Sequence, residues 1–98
     1  MYMSRDIMHC KPGKAKELVA KFKEASDAMK KLGYPETRIY TDVSAENYWT
    51  VVMELELGNL DDFAKMARST MTDPAISKAL SGYHDLVING RRELYQRE

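Results

Sequence analysis

Four side chains on two neighbouring stretches carry the strongest chemical signal: Arg38 and Tyr40 in TRIYTDV, and Tyr48 and Glu54 in YWTVVMELELG. A guanidinium grips a carboxylate or an enolate with two parallel donors. A tyrosine hydroxyl orients a carbonyl or phenolic oxygen, and a glutamate in a partly dry cavity has its pKa raised and can act as a base. The same four residues also read as a subunit interface, with arginine and glutamate satisfied by each other and the tyrosines packed for area. His9 and His84 are the two histidines of the chain. Either can titrate near neutrality or ligate a metal or haem, yet no second ligand stands at helical or hairpin spacing from either. His9 joins the candidate substrate-binding set with Arg38, Tyr40, Tyr48 and Glu54. Cys10 has no base at a fixed spacing and reads as a small buried residue. There is no glycine-rich phosphate loop, paired-cysteine metal motif or nucleophile elbow, and no cofactor or metal is expected.

These residues must be held by strands. In Tyr48–Leu57, Trp49, Val51, Met53, Leu55 and Leu57 fall on one side, and Tyr48, Thr50, Val52, Glu54 and Glu56 on the other. Such alternation predicts a strand with one wholly apolar face, to lie under helices, and one mixed face. That places Trp49 in the core, along with Met29, Met53, Met66 and Met71 as packing residues. The mixed face suits a shared cavity, an oligomer interface or a solvated sheet surface. Thr37–Val43 predicts a partner strand, joined to Tyr48–Leu57 through a polar Ser44–Asn47 turn. Paired as a hairpin, the two strands project Arg38, Tyr40, Tyr48 and Glu54 onto the same face.

Around that hairpin, Tyr2–Cys10 reads as a first strand and Ala15–Leu32 as a helix. The helix carries Leu18, Phe22, Ala25, Met29 and Leu32 at spacings of three and four, and Gly33 stands ready to end it. Asn59 is a good helix cap, with Asp61 and Asp62 in the first turn behind it. Leu60, Phe63, Met66, Ala67 and Met71 stripe this second helix. Asp73-Pro74 opens a short third helix over Ala75–Leu80. Residues 82–90 predict a loop or bent strand before a last strand over Arg91–Arg97; Asn89-Gly90 also permits a tight hairpin. Arg91-Arg92 reads as a solvated strand end.

Ninety-eight residues make one expected domain that buries roughly 60–70% of its unfolded surface. Fifteen basic and fifteen acidic residues cancel, so no basic excess is available to neutralise phosphates, which argues against nucleic acid as a partner. No apolar run can span a bilayer, so no membrane partner is expected. The N-terminus lacks the charged start and apolar block of a signal peptide. One cysteine allows no internal disulfide, and a cytoplasmic location is expected.

The order strand, helix, strand, strand, helix, strand is the ferredoxin-like α+β arrangement, with both helices on one face of a four-stranded antiparallel sheet. At this level the chain resembles a family. Lys11-Pro12-Gly13-Lys14 leads into an amphipathic helix. Tyr48–Glu54 is followed by Asn59-Leu60-Asp61-Asp62, then by Asp73-Pro74 and a terminal Gly90-Arg91-Arg92-Glu93-Leu94-Tyr95. These features look like the dimeric α+β barrel superfamily, and in particular small proteins similar to antibiotic-biosynthesis monooxygenases. The resemblance implies a homodimer paired through the open sheet faces, with a cavity in each half. It implies a range of activities that includes cofactor-free oxygenation, haem degradation and isomerisation. No catalytic motif of a characterised branch carries over residue by residue.

The resulting expectation is a small-molecule-binding protein. It would be a cofactor-independent, monooxygenase-like enzyme for an aromatic or polyketide-like substrate on the open sheet face. The alternatives are a non-catalytic ligand-binding or interaction module of the same fold, and a haem-binding protein.

Overall fold

The centre of the sheet is β1, Tyr2–Cys10. The computed structural model describes Met1–Glu98. The other strands are β2 (Arg38–Thr41), β3 (Thr50–Leu57) and β4 (Val87–Gln96), and they lie in the order β2-β3-β1-β4 with every pairing antiparallel. Helices α1 (Ala15–Lys31), α2 (Leu60–Thr72) and α3 (Pro74–Ala79) cover one face. This is the expected ferredoxin-like α+β fold, with a sheet that does not close on itself.

Local chemistry explains the elements. Helix α1 buries Leu18, Phe22, Ala25 and Met29 along one stripe, keeps Lys30 and Lys31 in its last turn, and is followed by Gly33 at φ 90°. The Asn59 side chain caps α2 by accepting from the Asp62 amide at 2.8 Å. Asp73 caps α3 through the amides of Ala75 and Ile76, with Pro74 in the first turn. Two apolar clusters lie between the layers. One gathers Cys10, Leu18, Phe22, Val51 and Leu86; the other gathers Met29, Leu55, Leu57, Met66 and Ile76.

Three expectations about the strands need correction, and one about packing: Met71, expected to pack, is 83% exposed on α2. The β3 strand begins at Thr50, and neither Tyr48 nor Trp49 belongs to it: Tyr48 is 86% exposed and Trp49 44% exposed. The cause is a polar clasp. The Thr50 amide donates to Asp42 Oδ1 at 2.8 Å, and the Thr50 hydroxyl donates to the Asn47 carbonyl at 2.8 Å. Trp49 meanwhile takes a left-handed φ of 59° that throws its side chain out of the alternation. Strand β2 is correspondingly shorter than expected, ending at Thr41, and Val43 is fully exposed. The third correction concerns Asn89-Gly90, which is no hairpin. A 3-10 turn at Tyr83–Leu86 leads straight into β4, which runs through both residues.

Gly90 stands opposite Met8, and a Cβ built on it would lie 2.4 Å from Met8 Sδ. Its small size makes room for a side chain on the neighbouring strand; it does not serve a turn. Gly90→Ala is therefore expected to cost roughly 1–2 kcal/mol by overpacking, and most of that cost should disappear in a Met8→Ala background. Chemical denaturation of the four-member cycle measures this. Equal costs in the two backgrounds would mean that the Met8 contact is not the reason for the glycine.

Candidate functional site

Pairing in register sorts the polar side chains of the sheet onto two faces. On the open face, Arg38 of β2 lies opposite Glu54 of β3, Glu54 opposite Arg5 of β1, and Arg5 opposite Glu93 of β4. The result is a single row of alternating charge across all four strands. Glu54 is bound from both sides: Oε1 accepts from Arg38 Nη2 at 3.1 Å and Oε2 from Arg5 Nη2 at 3.2 Å. Hydrogen bonding to Glu54 pushes the Arg38 guanidinium further above its ordinary value. With each oxygen of Glu54 committed to a guanidinium, the geometry favours the satisfied-pair reading of Arg38 and Glu54 over the catalytic one.

Beside the row, the open face dips into a concavity of about 360 Å³. Tyr40, Glu54 and His9 line it, as expected of an open-face site, and Arg38 reaches it through its bond to Glu54. Tyr48 is not brought there. It sits with Trp49 and Ile88 on a neighbouring exposed patch at the end of the sheet, which shares His9 and Asn47 with the concavity. Arg5, Asn47 and Arg91 join the concavity without having been singled out in the sequence. Arg91 Nη1 stands 3.3 Å from His9 Nε2, and His9 Nδ1 stands 3.3 Å from Thr50 Oγ1. His84 stacks on Tyr83 at 4.0 Å between ring centroids. No group of three or more His, Cys, Asp or Glu side chains is placed to hold a metal ion.

A second, more enclosed space of about 100 Å³ lies between the sheet and the helices. Ten of its thirteen lining residues are hydrophobic, which sets it apart as an apolar cavity with a few polar groups on its wall. Met8, Met29, Met53 and Met66 line it, and methionine is the side chain that adapts most readily to a varying shape. The exceptions are Asp6, Thr70 and Arg92, and Tyr83 adds a hydroxyl to the wall. Asp6 is 8% exposed on the helix-covered face of β1. Its two oxygens accept from Arg92 Nε at 2.6 Å and Nη2 at 3.2 Å, a two-pronged pair between residues opposite each other in register. The bond to Asp6 raises Arg92 further, against the opposing effect of burial. The Arg92 guanidinium also lies 5.2 Å from the Phe63 ring centroid. Arg92 is solvated along half of its side chain, as expected of a strand end, and its guanidinium also reaches the buried Asp6. A charged residue on the buried face of β1 was the visible signal, but its partner emerges only from the β1–β4 register.

Cys10 lies 1% exposed in the core beside this layer, and burial pushes its thiol above the ordinary value, with Asp42 adding in the same direction. The protonated, inaccessible thiol is a packing group.

No family profile and no curated protein matches the chain. Solved structures do. The protein Atu4242 of Agrobacterium tumefaciens, also described as a NIPSNAP family protein with unknown function, is similar with a TM-score of 0.82 at 16% identity, covering 100% of this chain and 94% of that one. An uncharacterised NIPSNAP domain protein of Burkholderia xenovorans gives 0.82 at 13% identity, over 100% and 95% of the two chains. A protein described as an antibiotic biosynthesis monooxygenase gives 0.75 at 11% identity, over 100% and 99%. The expected resemblance therefore holds as a shared ferredoxin-like α+β fold, and at these identities the likeness extends to the fold alone. No helix is long and apolar enough to cross a membrane.

The Asp6–Arg92 pair gives a direct test of the inner site. Arg92→Ala leaves a buried carboxylate without its donors and should cost roughly 1–3 kcal/mol, moderated because the Arg92 side chain is half exposed. Adding Asp6→Ala should recover most of that loss. Denaturant titrations that show additive losses would remove the pair from the account of the inner cavity.

Proposed function

We propose that this chain is a small-molecule-binding protein whose ligand occupies the cavity between sheet and helices, and that it works as a homodimer paired through the open sheet face. The observation that carries the binding half is the Asp6–Arg92 pair on the wall of an apolar, methionine-lined cavity. Asp6 is buried at the wall of that space while the Arg92 side chain stays half exposed, so the pair sets a polar group at the edge of an apolar cavity, an arrangement that fits recognition. The space suits a single ring, since an apolar cavity of about 150 Å³ admits benzene and four methionines can yield to enlarge this one. Arg92 and Tyr83 supply donors for one polar end, such as a carbonyl; the Thr70 hydroxyl is committed to the Met66 carbonyl at 3.0 Å. A monocyclic ketone or quinone meets both requirements.

For the dimer, the argument is charge complementarity. The row Arg38, Glu54, Arg5, Glu93 reads plus, minus, plus, minus. Turned end for end, it is its own complement, with Arg38 opposite Glu93 and Glu54 opposite Arg5. Tyr40 and Tyr95, each nearly half exposed beside the row, supply apolar area. On this reading Arg38, Tyr40 and Glu54 serve a second copy of the chain. The free, buried Cys10 is compatible with a reducing cytoplasm, where we place the protein.

Ala25→Leu, which fills the inner cavity, should abolish the thermal stabilisation given by acetophenone or cyclohexanone while the variant remains folded. Undiminished stabilisation would overturn the placement of the ligand. Glu54→Lys turns the centre of the row into three adjacent cations and should convert a dimer to a monomer in light scattering at moderate salt. A wild-type chain that is monomeric at high concentration would sink the dimer. Catalysis is the second step of the proposal, supported by the fold shared with a monooxygenase. Oxygen uptake with a bound quinol and no added cofactor is expected if the protein is an oxygenase of that kind; binding without uptake leaves a ligand-binding module.

A further inference from the structure

His9 belongs neither to the charge row nor to the inner cavity, and its surroundings define its chemical state. The Thr50 hydroxyl donates its hydrogen to the Asn47 carbonyl at 2.8 Å. Its oxygen can then only accept, so His9 Nδ1, at 3.3 Å, carries the hydrogen. With Nδ1 donating, Nε2 is the acceptor of the ring, on the wall of the concavity. Arg91 Nη1 stands 3.3 Å from Nε2, and Asn47 Nδ2 lies over the ring, 3.3 Å from Nε2 and 3.5 Å from Nδ1. Both contacts are beyond the optimal hydrogen-bond distance, and Arg91 also gives its Nε to Glu93 at 3.3 Å. An acceptor lone pair flanked by two loosely held donors is a receptor for a group that can donate and accept at one atom.

We propose that this concavity binds a phenol or an enol. The hydroxyl donates to His9 Nε2, and its oxygen accepts from Arg91 and Asn47. The ring rests on Ile7, Val52 and the Tyr40 ring, which line the same space. The geometry discriminates among ligand classes. A carboxylate sets its lone pairs against that of Nε2. An ammonium group satisfies Nε2 but meets the Arg91 cation. A hydroxyl on an unsaturated carbon satisfies both partners, because the guanidinium stabilises the negative charge that builds on its oxygen as the hydrogen is drawn toward Nε2. All of these groups belong to one chain, and the site does not draw on the inner-cavity ligand.

Long-range proton–nitrogen NMR spectra of the His9 ring test the tautomer, and titrations with phenol and its methyl ether, anisole, test the recognition. The expected results are an Nδ1–H tautomer in the free protein, a phenol-induced shift at Nε2, and phenol binding about tenfold tighter than anisole, the worth of one hydrogen bond. His9→Phe keeps a ring in place and should erase the preference for phenol. Arg91→Gln, at an exposed position, should reduce it, and Ala25→Leu should leave it unchanged. An Nε2–H tautomer, equal affinity for the two probes, a preference that survives His9→Phe, or one lost in Ala25→Leu would each overturn the proposal.

Discussion

The register of β1 between β3 and β4 is the constraint on which both concavities depend. Side chains on a strand alternate, so adjacent residues serve opposite faces. Arg5 joins Glu54 on the open side, while Asp6 joins Arg92 under the helices. Ile7 lines the outer concavity and Met8 the inner one. A slip of one residue would carry Arg5 into the apolar layer and Asp6 onto the open face, and would break both charge pairings at once. The register is held by apolar side chains on the helix-covered face: Val51, Leu55 and Leu57 of β3 are almost fully buried, each contributing on the order of 1.5–3 kcal/mol.

The two polar arrangements differ in what they can do because they differ in solvent. On the open face, Arg5 and Arg38 are 36% and 46% exposed in their side chains. Pairs of that kind are worth about 0–1 kcal/mol each. They cannot hold the sheet together, but their alternation decides which surface can lie against it. Under the helices, Asp6 is screened from water and its attraction to Arg92 is correspondingly stronger, but so is the desolvation that it must offset. The inner pair is therefore sensitive to loss of either partner, and the outer row to reversal of a sign.

Much of the architecture was legible because short-range chemistry determined it. The alternation from Thr50 to Leu57, the stripe from Leu18 to Met29 and the caps at Asn59 and Asp73 each act within one element. The misreadings have a common physical origin. Trp49 and Tyr48 continue the apolar and polar pattern of β3, yet Asp42 and Asn47 clasp Thr50 and end the strand there. Asn89-Gly90 has the composition of a turn, but its glycine accommodates Met8 of a strand distant in sequence. Arg92 shows no partner until β1 is laid beside β4. Each depends on a partner that no local window contains. The candidate site shows the same division: Tyr40, Glu54 and His9 come together because strands set their faces, while Arg5, Asn47 and Arg91 enter through pairing alone.

The same geometry limits how the two concavities can act together. They lie on opposite sides of β1, so a group held at His9 and one held at Asp6 are separated by the backbone of the strand and cannot react directly. Any communication must pass through β1 or its neighbours. One route is short: Arg91 reaches His9 and Arg92 reaches Asp6 from adjacent positions of β4. That nearness joins the two faces only through the β4 backbone, which antiparallel pairing with β1 holds in place, so the two concavities stay chemically independent.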